Sequence, residues 1–497
     1  SKHPKLQEGF SNVQEKNIFP RPHNPCIFVH KMNFARYAYY SIRFRNQPRY
    51  NAVMSFNKGG WQMKIAAMAD DLTGALDAGI QMQVCGFSTV VGLGKELLHS
   101  HDWLIINTNT RNLAPDIAAS TIREMSQRLT RAGFELAYKK IDSTLRGNIG
   151  AELEALLLNN AFDAVLLCPS LPPMGRVLCH GYYYVNHVPL EKMDLSKDPF
   201  SPVKTSCLRH LVAAQTRLLC AEIDLSDISK GATALASQLQ TYATSGMRIL
   251  IADAVTNEDL KTIALALHLC KSSILPCGSA GLFAFADQFL LQSQTSEPYT
   301  ASAPMHPPAV ILSGSPAVTN IAQIQFLQKS CIPLTVLTLP VALLGTEKWA
   351  PSVAQIATKA CSALLAGNSV LLDGATIDKE TLGSHFGERS DILTRNGETL
   401  RNALAKIAKV IATKVKKQTF VLLGGDTAAT VLSALKAENL ILLDQPLPYI
   451  PHARIQGGLA DGCDVVSKAG GFGDEDCLVK LLTQIQAQTP SSIYKGW

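Results

Sequence analysis

The 497-residue chain lacks the short signatures that would most readily assign it a function. Its twelve cysteines include no Cys-x-x-Cys pair and no spacing with nearby His that would hold a metal, so no zinc or disulfide framework is expected. Cys168, Cys270, Cys331 and Cys361 sit in apolar runs, as reduced core thiols do. No apolar run reaches membrane-spanning length and no secretory signal is visible, which predicts a cytoplasmic protein without a membrane partner. No Gly-x-x-x-x-Gly-Lys-Ser/Thr occurs, Gly-x-Gly-x-x-Gly is absent after the first strand-like run, and the protein-kinase signature is missing. An ordinary P-loop enzyme, Rossmann dehydrogenase or protein kinase is thereby disfavoured.

A basic surplus is also missing where it would count. The formal charge is +6, but residues 1–62 carry ten Lys and Arg against Glu8 and Glu15, leaving 36 cations and 38 anions in the rest. With no helix-turn-helix or basic recognition helix after Met63, no nucleic-acid partner is expected. Residues 1–62 are aromatic as well as basic (Phe28, Tyr39, Tyr40, Trp61 among them) and show no sustained helical or strand period. They are expected to be a non-native or disordered extension, with Met63 as the natural start. A chain beginning at Met63 should then fold and work equally well.

From Met63 onward, short apolar runs alternate with longer stretches of helical spacing, the pattern of parallel strands covered by helices. Strands are predicted at Lys64 to Ala69, Trp103 to Thr108, Leu136 to Lys140, Ala164 to Cys168 and Arg248 to Asp253. A Pro-containing stretch with Pro298, Pro304, Pro307 and Pro308 reads as a linker. Strands resume at Ala309 to Leu312, Leu334 to Leu337, Ser369 to Asp373, Phe420 to Leu423 and Leu440 to Leu443. The expected architecture is α/β, with a domain over 63–295, a linker over 296–308 and a second domain over 309–490. Each domain would be a mainly parallel sheet flanked by helices, with the active site in the cleft between them.

The densest chemistry lies in Lys139-Lys140-Ile141-Asp142-Ser143-Thr144-Leu145-Arg146-Gly147-Asn148, on the turn between a strand and the helix that begins near Ile149. Ligands of open α/β sheets bind at such turns, and two cations, a carboxylate and two hydroxyls suit a small oxygen-rich anion. Asp70 and Asp71 leave the first strand side by side, either as a helix cap or as a substrate clamp and general base. The phosphatase pattern Asp-x-Asp-x-Thr does not fit, because the two carboxylates are adjacent. Pro172-Pro173-Met174-Gly175-Arg176 forms a rigid loop ending in a cation able to hold an acid group in two-pronged fashion. The second half supplies three glycine-rich turns: Ser313-Gly314-Ser315, Gly424-Gly425-Asp426-Thr427 and Lys468-Ala469-Gly470-Gly471. Each alone is a plain connection; three in one domain fit a nucleoside triphosphate.

Together these segments, in order from Met63 to about Leu482, resemble the four-carbon acid sugar kinase family. The resemblance implies a kinase that phosphorylates the terminal hydroxyl of a four-carbon sugar acid with ATP and Mg²⁺. The acid would be held by the N-terminal domain and the nucleotide by the C-terminal domain. The form Lys140 to Gly147 is similar to the branch acting on D-threonate or D-erythronate. It implies substrate contacts from Asp70, Lys140, Ser143, Arg146 and Arg176, with Asp71 or Asp142 orienting and deprotonating the hydroxyl. ATP would be held by Ser313, Ser315, Gly424, Gly425, Asp426, Thr427, Lys468, Gly470 and Gly471, and Mg²⁺ by phosphate oxygens and water without a dedicated protein cage. Ala469 stands where a Ser is common in the family, and Asp426 where Glu also occurs. The rival expectations are a 3-oxo-tetronate kinase and a non-catalytic regulatory protein binding a sugar acid and nucleotide. A homo-oligomer is compatible with all of them.

Overall fold

Runs that are apolar at every position, such as Ile65–Ala69 and Ala164–Cys168, have no face to offer water, so they become strands covered on both sides. The computed structural model describes residues 64–94, 100–159, 162–193, 202–290, 303–315, 317–374 and 390–487, together with four strands between Val29 and Met63. Among the described residues beyond Met63, fifteen strands join one sheet. From one edge the order is Cys220–Ile223, Ile249–Ala252, Ala164–Cys168, Ile274–Gly278, Glu135–Lys140, Ile65–Ala69, Trp103–Asn107 and Thr89–Gly92, all parallel. Next comes the antiparallel hairpin Asn439–Leu447 and Ile450–Gln456. Asp464–Lys468, Thr419–Leu423, Ala309–Ser313, Val370–Asp373 and Thr335–Thr338 follow, parallel to one another.

The expected pair of mainly parallel, helix-flanked sheets is therefore present, joined edge to edge through the hairpin. Each antiparallel step reverses direction, so the two parallel sets would expose their carboxyl ends on opposite sides of a flat sheet. Register shifts between Leu442 and Asp444 and between Asp444 and Leu447 kink the hairpin. With the twist that strands accumulate, the two sets of carboxyl ends meet. A Cβ added to Gly425, at the exit of one set, would lie 2.5 Å from Thr73 Oγ1, at the exit of the other.

One face of the long sheet is a continuous core containing Met82, Trp103, Tyr138, Phe283 and Phe420. The other face is closed separately, by Leu153, Leu156 and Ile251 in the first half and by Ile324, Val466 and Leu478 in the second.

Some expectations are corrected. Strands Val29–Phe34, Tyr37–Ile42, Val53–Asn57 and Gly60–Met63 form an antiparallel sheet of their own, where no strand period is expected. Aromatic side chains carry high β propensity even without clean alternation. The Pro-rich loop does not end at Arg176, which instead begins a strand, Arg176–Cys179, paired with Tyr182–Val185. Cys331 is exposed in the turn after helix Val318–Lys329, while Cys168, Cys270 and Cys361 are buried. The expected linker lies outside the described residues up to 302. Its remainder is tethered by Ala303 N donating to Asp444 Oδ2 and His306 N to Asp464 Oδ2. No helix among the described residues is long and apolar enough to cross a membrane.

Candidate active site

Strands Glu135–Lys140, Ile65–Ala69 and Trp103–Asn107 are neighbours, so the turns that leave them lie side by side. Asp71 caps helix Leu72–Val84, its Oδ1 accepting from Gly74 N at 2.7 Å. Its other oxygen accepts from Arg111 Nη1 at 2.6 Å. Capping and site formation therefore share one carboxylate. Arg111 also grips Asp70 in two-pronged fashion, with Nε to Oδ2 and Nη2 to Oδ1 both at 2.9 Å, and its Nη2 lies 3.9 Å from Asp142 Oδ1. A guanidinium only 11% exposed thus gathers three carboxylates around it.

Their protonation follows from their surroundings. Burial pushes the Asp70 carboxyl up, but Arg111 overcomes it and leaves it below its ordinary value. At Asp71 burial wins, aided by the charges of Asp70 and Asp142, and the pKa is raised. Asp142 resists burial through Arg146 and Arg111, and through bonds from Arg146 and Thr144, and lies well below the usual range. Its Oδ2 accepts from Thr144 Oγ1 at 2.5 Å and Arg146 Nε at 2.6 Å.

The two adjacent lysines part company. Lys139 points into the first half's core and pairs with Glu152 at 2.5 Å, both buried. Lys140 points to the site, where its Nζ would lie 3.0 Å from a Cβ on Gly74. Arg176 Nη1 donates to Ser143 Oγ, and its guanidinium lies over the Phe472 ring at 5.5 Å, so this residue touches both halves of the molecule. Its Nε is buried without a partner. Tyr183 Oη donates to the Ser143 carbonyl at 2.7 Å and steadies that turn.

In the second half the registers Ser313↔Leu423 and Leu423↔Lys468 set the three glycine turns next to one another. Gly424 has φ +98°, and a Cβ there would lie 2.7 Å from Ser315 Cβ. One on Gly470 would lie 2.9 Å from Ser315 Oγ, and one on Gly314 would lie 2.9 Å from Thr427 Oγ1. The glycines therefore let three turns close around Ser315. Helix Gly425–Ala434 begins without a side-chain cap, so its first amides and dipole face the convergence point. Ser313 Oγ is buried and unpartnered beside it. Asp426 is exposed on the first turn. Gly471 borders open space.

Lys468 does not present its ammonium to that space. Nζ donates to the carbonyls of Ala469 at 3.0 Å and Phe472 at 3.1 Å, bracing the glycine turn from below, and burial lowers its pKa to about 8. Among the described residues no group of three or more His, Cys, Asp or Glu could hold a metal ion.

The arrangement pairs a carboxylate and guanidinium wall with an uncapped helix terminus, which suits a polyhydroxy acid facing a phosphate chain. Residues 65–285 match the family model of a sugar-binding N-terminal domain, and residues 310–478 that of a nucleotide-binding C-terminal domain. A D-threonate kinase of Salmonella typhimurium is 30% identical over 85% of this chain and 99% of its own. The chain belongs to the four-carbon acid sugar kinase family.

As a member of that family it is a phosphotransferase acting on a sugar-acid hydroxyl, and its nucleotide-binding domain implies use of ATP. Other four-carbon acid sugar kinases are similar to it: a D-erythronate kinase of Heliobacterium modesticaldum at 26% identity (86% of this chain, 98% of the relative) and a 3-oxo-tetronate kinase of Pseudomonas fluorescens at 27% (85% and 97%). Among solved structures, one from Salmonella typhimurium shares the fold at TM-score 0.69 and 22% identity, covering 84% of this chain and 98% of its own. One from Haemophilus influenzae does so at 0.64 and 25%, covering 85% and 99%.

Arg111 has no distinguishing mark in the sequence of this family member. It stands in Thr108-Asn109-Thr110-Arg111-Asn112, a polar turn like any other after a strand. Knowledge that its strand borders Ile65–Ala69 would have exposed it.

Proposed function

We propose that this kinase transfers the γ-phosphoryl group of ATP to the 4-hydroxyl of D-threonate or D-erythronate, giving the 4-phospho acid and ADP. The observation that carries the reading is the approach of Gly425, at an uncapped helix terminus, to Thr73 beside Asp71, which supports transfer between a phosphate chain on one turn and an acid on the other. Lys140, Ser143, Arg146 and Arg176 hold the carboxylate and hydroxyls of the acid, within the frame of Asp70 and Arg111. Asp142 is committed to Arg146, so Asp71 is the carboxylate that orients the attacking hydroxyl. Ser313, Ser315 and Gly424 to Thr427 receive the triphosphate, and Gly470 and Gly471 close over it, with Lys468 bracing their turn. The buried unpartnered Ser313 Oγ and the uncapped helix start fit such a ligand. Mg²⁺ would neutralise phosphate charge while held by nucleotide oxygens and water.

The domain division at 63–295 and 309–490, the residue roles and a cytoplasmic location belong to the same proposal. The segment Lys140 to Gly147 favours the D-threonate and D-erythronate branch over the 3-oxo one.

The test is coupled ADP release with Mg-ATP and each of D-threonate, D-erythronate, L-threonate and 3-oxo-tetronate. Strong turnover with one of the first two supports the proposal; turnover only with 3-oxo-tetronate replaces the substrate, and ATP binding without turnover on any acid overturns it. Arg146 is 27% exposed against 11% for Arg111, and so is the cation better placed to meet a ligand. Arg146→Ala is expected to raise KM for the acid by about 10²-fold while leaving KM for ATP within twofold, as loss of one charge-assisted contact predicts. Equal damage to both would contradict the assignment.

A further inference from the structure

Three carboxylates of the cleft are spoken for, and a fourth is not. Asp77 lies on helix Leu72–Val84, four residues after Thr73 and therefore on the same helix face. That face looks at the second half of the molecule, because Thr73 Oγ1 abuts Gly425. Asp77 has no hydrogen-bond or ion-pair partner among the described residues. The charged and titratable groups around it come from several elements. Lys140, Asp71, Arg176 and Arg111 act on it from the first half, and Asp77 acts on Tyr449, in the turn of the joining hairpin. Lys140 Nζ packs at Gly74, one turn before it, and Arg176 bridges to Phe472. Asp77 thus sits in the cleft, between acid-binding cations and the nucleotide half.

We propose that Asp77 is the general base of the phosphoryl transfer, accepting the proton of the hydroxyl that Asp71 orients. The inference rests on the substrate reading above. In the step, the hydroxyl oxygen forms a bond to the γ-phosphorus of ATP while the bond from that phosphorus to the β–γ bridging oxygen breaks. ADP leaves, and the hydroxyl proton moves to the Asp77 carboxylate and then to water.

The other carboxylates serve this step less well. Asp142 is held well below its ordinary pKa by Arg146 and Arg111, which makes it a weak base. A proton placed on Asp71 would disrupt its 2.6 Å bond to Arg111. Asp77 loses no partner by accepting one. Its surface is half-buried, yet protein from both halves crowds it. That desolvation, opposed by Lys140, pushes its pKa up to about 7, where a base is both available and strong enough.

The experiment uses the full chain and whichever acid gives the fastest ADP release, with kcat followed from pH 5.5 to 9 for the unaltered protein, Asp77→Asn and Asp77→Glu. The unaltered kcat should fall about tenfold per pH unit below about 7 and level off above it. Asp77→Asn should lower kcat by about 10²–10⁴-fold and abolish the acid limb, with KM for ATP within twofold. Asp77→Glu should retain part of kcat and shift the limb.

Stability should move the other way. A carboxyl whose pKa rises from 3.8 to about 7 on folding costs stability progressively as pH climbs between those values. Asp77→Asn should therefore melt higher than the unaltered protein, with a gap that opens from about pH 4 to pH 7. An Asp77→Asn kcat within threefold of the unaltered value, or an acid limb unchanged in either variant, overturns the assignment. Should the Asn variant fail to fold, the limb of Asp77→Glu decides alone. Silence of the unaltered chain with every acid overturns the substrate reading and this assignment together; turnover with an unaffected Asp77→Asn overturns this assignment only.

Discussion

Replacing Arg111 by Ala is expected to abolish useful turnover, with kcat/KM falling by about 10³-fold or more, and to destabilise the fold by about 3–5 kcal/mol. The guanidinium is 11% exposed and bonds both Asp70 and Asp71, with Asp142 at 3.9 Å. Its removal leaves like charges facing one another in a site that water reaches poorly. Arg111→Lys keeps the charge but not the planar fork that bridges two carboxylates, and should recover little. The pH dependence has a definite sign. In the intact protein the lowered pKa of Asp70 and Asp142 adds stability that is present above the ordinary carboxylate range and lost as pH falls through it. Without Arg111 burial carries the Asp70 pKa above its ordinary value, and the Asp142 pKa rises though Arg146 still holds it down, so the variant's deficit should be large at pH 8 and shrink as pH falls toward 5. Thermal unfolding of both proteins at the two pH values checks this. Asp70→Asn combined with Arg111→Met should restore part of the stability and none of the activity, separating support of the fold from assembly of the site.

Arg111 also marks what could and could not be seen in the amino-acid order. Ten strands beyond Met63 are legible because runs such as Phe420 to Leu423 are apolar at successive positions and buried on both faces. Ile274–Gly278 is not, because Pro276 argues against a central strand, although this one pairs with neighbours on both sides. The joining hairpin was half legible: Leu440 to Leu443 reads as a strand, but Ile450–Gln456 mixes Pro, His and Arg and does not. The glycine turns and the Asp142 turn announce themselves because their chemistry is local. Arg111 and Asp77 gain meaning only from neighbours in space: strand order gives Arg111 its three carboxylates, and the joining of the two halves gives Asp77 its setting. Lys468 shows the converse. A lysine ending a strand reads as a free cation, yet it falls on the same strand face as Val466, which belongs to the core beneath the glycine turn, and its ammonium is consumed there.

That inward brace bears on the second large effect. Gly424→Ala is expected to raise KM for ATP by about 10²-fold or more while leaving binding of the acid nearly intact. Two independent strains act at this position. The backbone has φ +98° and ψ 138°, a conformation that costs an L-residue about 1–3 kcal/mol. The added methyl would also lie 2.7 Å from Ser315 Cβ, closer than carbon atoms can approach, so the Ser313 and Gly424 turns must separate. Gly424 N donates to the Lys468 carbonyl at 2.8 Å, so the displacement also pulls on the turn that Lys468 braces. All three glycine turns should shift together, while the Arg111 cluster, on the other half of the sheet, stays in place. Gly462→Ala is the matched control, because the backbone there also has a positive φ, +78°, yet a Cβ meets nothing within 4 Å and the residue lies outside the glycine turns. Calorimetric titration of each variant with ATP and with the acid checks both halves of the expectation. Equal loss of ATP binding in Gly462→Ala and Gly424→Ala would show that close packing around Ser315 is not what forms the nucleotide site.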